Sequence, residues 1–122
     1  MVEYGGMSNS LYELQASKWE WKKLQQKKEI LKNGEKGEIP CARMCHSFTT
    51  LGDGKVVLFG GVKNGSDAPD RIFNPIYLDD VFYLELNSQT GVKHWSKPNF
   101  TGTGPSARES HSALVYRIGY IF

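Results

Sequence analysis

Three residues near the middle of the chain carry side chains of the kinds that bind zinc. They are Cys41, Cys45 and His46. A structural zinc site takes four nitrogen or sulfur ligands. The sequence has no second cluster at metal-ligand spacing, and His94 and His111 each stand alone. The sequence therefore predicts no metal site and no other cofactor.

The sequence motifs also give no support for a catalytic site. Serine, histidine and aspartate all occur, but no Gly-x-Ser-x-Gly elbow or comparable nucleophile context does. The glycines Gly102 and Gly104 lead into Pro105 and not into the start of a helix, so they do not form a phosphate-binding loop. We predict no catalytic residue and no enzymatic activity.

The strongest signal is an internal repeat. The pattern Pro-x-Ala-Arg-x-x-His-Ser occurs at residues 40–47 and again at residues 105–112, which is 65 positions later. The first variable position is Cys41 in one copy and Ser106 in the other. A recurrence at this spacing is typical of stacked supersecondary units. His46 and His111 each precede Ser and begin a predicted strand, so we expect both to have a buried, hydrogen-bonding role.

Hydrophobic alternation predicts short strands joined by turns. The segments from His46 to Leu51 and from Lys55 to Phe59 form a hairpin, which Gly60 and Gly61 terminate because glycine tolerates backbone angles that other residues avoid. Further strands are predicted at Ser10–Gln15, Trp19–Leu24, Asp79–Leu86, Val92–Trp95, His111–Tyr116 and Gly119–Phe122. The connections 25–39 and 62–75 are predicted as long loops, the first with one helical turn near Glu29–Lys32.

These strands predict an all-β fold of antiparallel four-stranded propeller blades, about two blade-equivalents in all. Residues 1–122 would form one partial domain: 1–24 the second half of one blade, 40–97 a complete blade and 105–122 the first half of the next. Trp19, Trp21 and Trp95 are expected in the core and between blades, where large aromatic side chains bury much surface. Pro40 and Pro105 are expected to restrain the chain where it leads into a blade.

Composition excludes several classes of partner. The 122 residues carry a net charge of +2 and 39% hydrophobic residues, which indicates an ordinary globular protein. No apolar run has the length of a membrane span. The lysines between 22 and 36 are diluted by Glu29, Glu35 and Glu38 and lack an aromatic ladder, so we predict no direct contact with nucleic acid. Two cysteines make no disulfide framework, which favours the nucleus or cytosol.

The motifs resemble a known family. The series Arg43, His46-Ser47, Leu58-Phe-Gly-Gly61, Asp79-Asp-Val-Phe-Tyr-Leu84 and Trp95 is similar to the kelch repeat. The run Leu11-Tyr-Glu-Leu-Gln-Ala-Ser17 with Trp19-Glu-Trp-Lys22, together with Arg108-Glu-Ser-His111, resembles the N-terminal kelch domain of host cell factor. The polar segment 25–39 departs from that family, which tends towards proline there.

The resemblance implies a nuclear, chromatin-associated transcriptional co-regulator whose propeller docks transcription factors through a short acidic-His-x-Tyr motif. Other kelch propellers are enzymes, or cytoskeletal or extracellular binding proteins, and these remain alternatives. Because the family domain is a closed ring of several blades, we expect the chain to be a fragment of a longer propeller. Its uncovered strand edges should then make it oligomeric or prone to aggregate.

Partner-binding residues are expected on the segments that lead into the His-Ser strands, because loops vary without disturbing the sheets. The candidate docking residues are Arg43, Met44, Cys45, Arg108, Glu109 and Ser110. The arginines could meet an acidic residue of the partner through charge-assisted hydrogen bonds. Alternatively, they could bond backbone carbonyls or a neighbouring carboxylate and hold the loop in place.

Overall fold

The structure, a computed structural model, describes residues 7–66, 72–86, 93–117 and 119–122. These residues contain β-strands and no helix, and hence no helix able to cross a membrane. The strands are β1 (Leu11–Gln15), β2 (Glu20–Leu24), β3 (Gln26–Lys28), β4 (Ser47–Gly52), β5 (Lys55–Phe59), β6 (Val62–Asn64), β7 (Pro75–Tyr77), β8 (Val81–Leu86), β9 (Lys93–Ser96), β10 (Val115–Arg117) and β11 (Tyr120–Ile121).

The centre of the structure is a five-stranded sheet in the order β3-β9-β8-β5-β4. Strands β4, β5, β8 and β9 form an antiparallel meander, which corresponds to the complete blade predicted from the sequence. Strand β3 joins β9 in parallel, as an additional edge strand. Around this sheet lie three two-stranded hairpins, β1–β2, β6–β7 and β10–β11.

One face of the central sheet forms the hydrophobic core. Alternation along β5 and β8 turns every second side chain to this face, because successive residues of a strand point to opposite sides. The buried core comprises Val56, Leu58, Phe82, Leu84 and Trp95. Leu11 of β1, Ile39 and Leu86 pack against it, so the β1–β2 hairpin covers this face.

The opposite face of the sheet meets the β10–β11 hairpin. Ser47, Val57 and Phe59 share a cavity of about 340 Å³ with Ala113 and Ile121. The complete blade is therefore enclosed between two half-blades, one contributed from each side of it in the sequence.

Several sequence predictions need correction. The segment 25–39, predicted as a loop with a helical turn, contains β3 and a bridge between Ile30 and Lys36. The predicted loop 62–75 contributes β6 and the start of β7, which pair with each other. Sequence patterns miss these strands because three residues are too few to show a clear alternation. The predicted strand from His111 is shorter, beginning at Val115, and residues 87–92, which include the start of the predicted strand Val92–Trp95, lie outside the described residues.

The tryptophans differ from one another in burial. Trp95 is 2% exposed in the core, as expected, whereas Trp19 is 76% and Trp21 is 71% exposed. The prediction that Trp21 is a packed structural residue is wrong for this structure. Leu11 and Leu24 occupy the hairpin face that packs inward, and Trp21 lies on the opposite face, which no described residue covers.

The strand register nevertheless makes Trp21 the counterpart of Trp95. Trp95 lies opposite Leu84, and Trp21 lies opposite Leu14. The β1–β2 hairpin thus repeats β8–β9, and Leu14 is the counterpart of Leu84. The same residue type occurs in two equivalent positions with different surroundings: Leu84 is 1% exposed and Leu14 is 38% exposed.

This pair gives a matched test of the core. Leu84→Ala should lower the free energy of unfolding by about 2–5 kcal/mol, because it leaves a cavity in a closed core. Leu14→Ala should cost less than about 1 kcal/mol, as partly exposed substitutions usually do. Chemical denaturation at concentrations where the chain is monomeric measures both. Equal losses would show that the core does not lie on this face.

Candidate functional site

The glycine pair after β5 is the point at which the two copies of the repeated motif meet. Gly60 and Gly61 are buried and have φ angles of +68° and +100°, a region that glycine adopts without steric cost. The Gly61 N–H donates to the Arg108 carbonyl at 2.9 Å, and its own carbonyl accepts from the Leu78 N–H at 2.9 Å. Arg108 N–H in turn donates to the Leu78 carbonyl at 3.1 Å. Segments from 60–61, 78 and 108 are thus tied by their backbones.

No side chain fits at either glycine. A Cβ atom on Gly61 would lie 2.8 Å from the Met44 carbonyl oxygen. One on Gly60 would lie 2.8 Å from the Arg108 carbonyl oxygen and 2.9 Å from Cε1 of His111. The Met44 contact is to the segment that leads into β4 of the same blade. The Arg108 and His111 contacts are to the corresponding segment of the next unit. The absence of side chains here is what allows the two units to approach.

Arg43 holds the two halves of the complete blade together. Its guanidinium makes a two-pronged contact with Asp80, with Nη1–Oδ1 at 2.5 Å and Nη2–Oδ2 at 2.9 Å. Nη1 also donates to the Gly60 carbonyl at 3.1 Å. Burial acts to lower the pKa of Arg43, but the bonds and charge of Asp80 outweigh this and raise it above its usual value. The guanidinium therefore stays charged and links the segment before β4 to the residue before β8.

This geometry corrects the prediction that Arg43 binds a partner. The residue is 6% exposed, and its donors are engaged inside the blade. The alternative interpretation, in which the arginine holds the loop through a carbonyl and a carboxylate, describes its contacts. Sequence reasoning singles out the arginine but not Asp80, although the acidic pair before β8 is visible in the sequence.

Arg108 repeats the local geometry of Arg43 in a different setting. Arg43 Nε donates to the Cys41 carbonyl at 3.3 Å, and Arg108 Nε donates to the Ser106 carbonyl at 3.0 Å. The Nη2 atoms contact the side chains of those same two residues, at 3.4 and 3.2 Å. Yet Arg108 is exposed and has no ion pair with a carboxylate among the described residues. Arg108 therefore repeats the local conformation of Arg43 but has no described counterpart of the Asp80 carboxylate.

Cys45 and Ser110 are brought side by side. Both have left-handed backbones, with φ of 57° and 56°, and the Ser110 N–H donates to the Cys45 carbonyl at 2.9 Å. Met44 is fixed by a bridge to Val62, and Glu109 accepts a hydrogen bond from the Ser110 hydroxyl. Met44, Cys45 and Ser110 are exposed, while Glu109 is half-buried. We call Met44, Cys45, Glu109 and Ser110 the lead-in surface.

The two repeated histidines have different surroundings. His111 Nε2 lies 2.9 Å from the Ser47 hydroxyl, and its ring meets Phe59 edge-on at 5.2 Å between centroids. His46 is exposed and makes no side-chain hydrogen bond within the described residues, so its predicted buried, hydrogen-bonding role is wrong here. The serine that His111 contacts belongs to the preceding copy of the repeated motif.

The remaining predicted structural residues lie beside these contacts. Pro40 is buried, and its carbonyl accepts from Asn9 Nδ2 at 3.4 Å, whereas Pro105 is exposed. Trp95 Nε1 donates to Gln26 Oε1 at 2.7 Å, which ties the core to β3. A link that the sequence does not reveal is buried Lys93, 3.6 Å from a carboxylate oxygen of Glu13 on β1. A lone lysine in a short strand gives no sequence signal of burial.

Features that would support chemistry are few in the part of the chain that the structure describes. No group of three or more His, Cys, Asp or Glu side chains is arranged to hold a metal ion among those residues. Cavities of about 200 and 720 Å³ flank the Arg43–Asp80 pair, one lined by Asn9, Gln26 and Trp95 and the other by Asp79, Lys97 and Phe100. Cys41 and His46 both line the first cavity, where Cys41 Sγ contacts Arg43 Nη2 at 3.4 Å and no hydrogen bond joins it to His46 in the described part of the chain.

Comparisons with known proteins agree with this architecture. A family model described as the KLHDC2/KLHL20/DRC7 Kelch-repeats domain matches residues 1–122. The chain belongs to the kelch-repeat family. This confirms the all-β kelch fold predicted from the sequence. No solved structure matches the chain.

The relatives of this kelch chain include host cell factors, which confirms the resemblance drawn from the sequence. It is 50% identical over 116 residues to host cell factor 1 of Homo sapiens, covering 95% of this chain and 5% of that protein. It is 47% identical over 116 residues to human host cell factor 2, covering 95% and 14%. It is 42% identical over 119 residues to host cell factor of Drosophila melanogaster, covering 95% and 7%. The chain therefore corresponds to a small part of each relative.

The crowding at the glycine pair predicts a loss of stability when a side chain is added at Gly61. Gly61→Val should lower the free energy of unfolding by about 2 kcal/mol more than Gly102→Val, because overpacking adds to backbone strain. Gly102 is the control, since its φ is +84° but no atom lies within 4 Å of the position that a Cβ would occupy. Denaturant titration of both variants measures the difference. Equal losses would mean that strain alone accounts for the glycine.

Protonation of His46 should couple stability to pH. Although the His46 side chain is exposed, partial desolvation of its ring, followed by the charges of nearby Arg43 and His111, lowers its pKa below the usual 6.5. The unfolded chain then binds a proton more readily, so stability should fall as the pH drops below about 6.5. In His46→Gln this fall should be smaller between about pH 7 and pH 5, with exposed His94→Gln as the control. An unchanged pH dependence in His46→Gln would contradict the coupling.

Proposed function

We propose that this kelch module is an adaptor of a host-cell-factor-like transcriptional co-regulator, which works in the nucleus, docks transcription factors or co-regulators and performs no chemistry of its own. The similarity to host cell factors over 95% of the chain supports the class of protein. The sequence features that argue against a nucleic-acid surface or a membrane span support a protein partner.

The observation that carries the proposal is the pairing of Cys45 with Ser110. One backbone hydrogen bond of 2.9 Å places the lead-in segments of two successive repeats next to each other. Their backbones are held by the glycine pair, yet the side chains differ between repeats: Met44-Cys45 in one and Glu109-Ser110 in the other. A rigid backbone with variable, accessible side chains is the arrangement on which binding residues are usually placed.

Arg43 has no part in this docking surface, because Asp80 engages its guanidinium. Arg108 is exposed, and its guanidinium hydrogen-bonds only to Ser106 among the described residues, so it can pair with the acidic residue of the partner. The partner we propose is a segment with an acidic-His-x-Tyr motif, as the resemblance implies. Glu109 offers that motif's histidine a carboxylate, which would favour its protonated form through a charge-assisted hydrogen bond.

The test changes the charge of the lead-in surface. Cys45→Glu and Ser110→Glu should each weaken binding of an acidic-His-x-Tyr peptide by about tenfold, because an added carboxylate repels the acidic residue and crowds the surface. Both positions already hold a residue other than glycine in a left-handed conformation, so the backbone should tolerate the change. Isothermal titration calorimetry measures the affinity, and circular dichroism checks the fold.

Lys55→Glu is the matched control, since Lys55 is exposed at the far end of β5. It introduces the same carboxylate at a residue remote from Cys45 and should leave peptide affinity within about twofold. If all three variants bind alike, the lead-in surface is not the docking site. If the unaltered chain fails to bind the peptide at millimolar concentration, the proposed partner class is wrong.

A further inference from the structure

The segment that joins the β1–β2 hairpin to the complete blade holds the positive charge of the chain. Residues 22–38 contain six lysines and three glutamates, a net charge of +3. Of the 15 basic and 13 acidic residues of the chain, this leaves nine basic and ten acidic ones elsewhere, a net charge of −1. None of the six lysines forms an ion pair with a carboxylate among the described residues. Their charge is therefore available to a partner.

Within this segment, residues 29–37 form a closed turn, which we call the basic turn. The Gly37 N–H donates to the Glu29 carbonyl at 2.8 Å. The Leu31 N–H donates to the Glu35 carbonyl at 2.8 Å, and the Leu31 carbonyl accepts from the Gly34 N–H at 2.9 Å. Gly34 has a φ of +83°, which glycine adopts without steric cost. The side chains of the basic turn therefore project from a backbone that is already fixed.

The basic turn presents an apolar side chain between lysines. Ile30 and Lys36 lie opposite each other in an antiparallel bridge, so their side chains are on the same face. Lys28 extends this face, because residues two apart in an extended strand point the same way. Ile30 is 77% exposed, and Lys28, Lys32 and Lys36 are exposed too. A lone exposed isoleucine is ordinary, but this one lies on a rigid turn among lysines that have no described ion pair.

The position of the basic turn keeps it open when blades close into a ring. It follows β3, which lies at the opposite end of the five-stranded sheet from β4. Strand β4 contacts β10, the strand that carries the second copy of the repeat. Blades surround a central channel, so the strands that meet their counterparts lie nearest the channel and β3 lies at the rim. The Glu38–Lys97 ion pair, at 3.1 Å, anchors the base of the turn beside β9.

We propose that the basic turn is a second docking site of this module, and that its partner is an acidic protein segment with an apolar side chain. Carboxylates of the segment would meet Lys28, Lys32 and Lys36, and its apolar side chain would cover Ile30. Opposite charges steer such an encounter and fix its orientation. The apolar contact adds affinity because it removes Ile30 from water. This site shares no residue with the lead-in surface, so the proposal goes beyond the docking function proposed above.

The composition of the segment favours an acidic protein over a nucleic acid. Sites that bind single strands combine a basic groove with aromatic side chains on which the bases stack, and residues 22–38 contain no aromatic residue. Glu29 and Glu35 also interrupt the lysines. A continuous phosphate backbone would approach these carboxylates, whereas a short protein segment can place its own carboxylates on either side of them.

The apolar contact is tested by fluorescence anisotropy with a labelled peptide that carries one leucine between two runs of glutamate. Ile30→Ser should weaken binding of this peptide about tenfold, because burial of the isoleucine is lost. Ile72→Ser is the matched control, since Ile72 is 92% exposed in a different connection, and it should change the affinity less than about twofold. Replacing the leucine of the peptide by serine should weaken binding to the unaltered chain but not to Ile30→Ser, because the two side chains form one contact.

The ionic contact is tested by charge reversal with the same peptide. Lys32→Glu and Lys36→Glu should each weaken binding about fivefold at low ionic strength, and this loss should shrink as salt is added. Lys55→Glu makes the same change in net charge at an exposed lysine of β5 and should leave the affinity within about twofold. Near-ultraviolet circular dichroism of the buried Trp95 checks that every variant is folded.

The other outcomes overturn the site. If the unaltered chain does not bind the peptide at millimolar concentration, the basic turn has no such partner. If Ile72→Ser and Lys55→Glu weaken binding as much as their counterparts do, the peptide is attracted by the overall surface of the chain. If DNA of the same charge binds more tightly than the peptide, the partner class is wrong. The peptide contains no histidine or tyrosine, so none of these results depends on the docking function of the lead-in surface.

Discussion

Close approach of backbone to backbone at Gly60 and Gly61 is the constraint on which the other contacts depend. Met44 and Arg108 place carbonyl oxygens where side chains would otherwise project from the pair. With side chains there, the next unit could not come close enough for the Gly61–Arg108 hydrogen bond, nor for the adjacent bond between Ser110 and Cys45. The blade-to-blade junction therefore depends first on excluded volume. Hydrogen bonds and the His111–Ser47 contact then select one alignment within the space that remains.

Equivalent residues of the repeats show that conformation is set locally, whereas energetic role is set by the neighbour. Arg43 and Arg108 share their short-range bonds, but only Arg43 meets a carboxylate within the described residues. Trp21 and Trp95 share a register, but only Trp95 is buried. In a kelch unit, these side chains thus adopt the same local arrangement whether or not a neighbouring surface covers them. Solenoid-like architectures generally behave in this way, since each unit interacts with its neighbours alone.

Periodicity and the repeat predict most of the blade, because both are properties of neighbouring residues in sequence. The hairpins, the glycine stop after Phe59 and the all-β kelch class follow from such patterns. Burial at Arg43 and exposure at Trp21 do not, because both depend on what lies across a sheet from them. A two-pronged pair such as Arg43–Asp80 joins residues 37 apart, and one sequence contains no signal that they meet. Strand β3 escapes prediction for the same reason: Gln26 pairs with a strand far along the chain.

The parallel pairing of β3 with β9 has a consequence for biosynthesis. The Trp95–Gln26 hydrogen bond spans 69 residues, so β3 leaves the ribosome roughly 3–14 s before its partner at about 5–20 residues per second. During that interval the N-terminal hairpin must stay soluble with its core-facing side uncovered. The lysines of β2 and β3, Lys22, Lys23, Lys27 and Lys28, lie on exposed positions. Charged residues on an unpaired strand discourage premature contacts between nascent chains. We therefore expect this basic stretch to keep β3 from pairing with other chains until β9 has been synthesised.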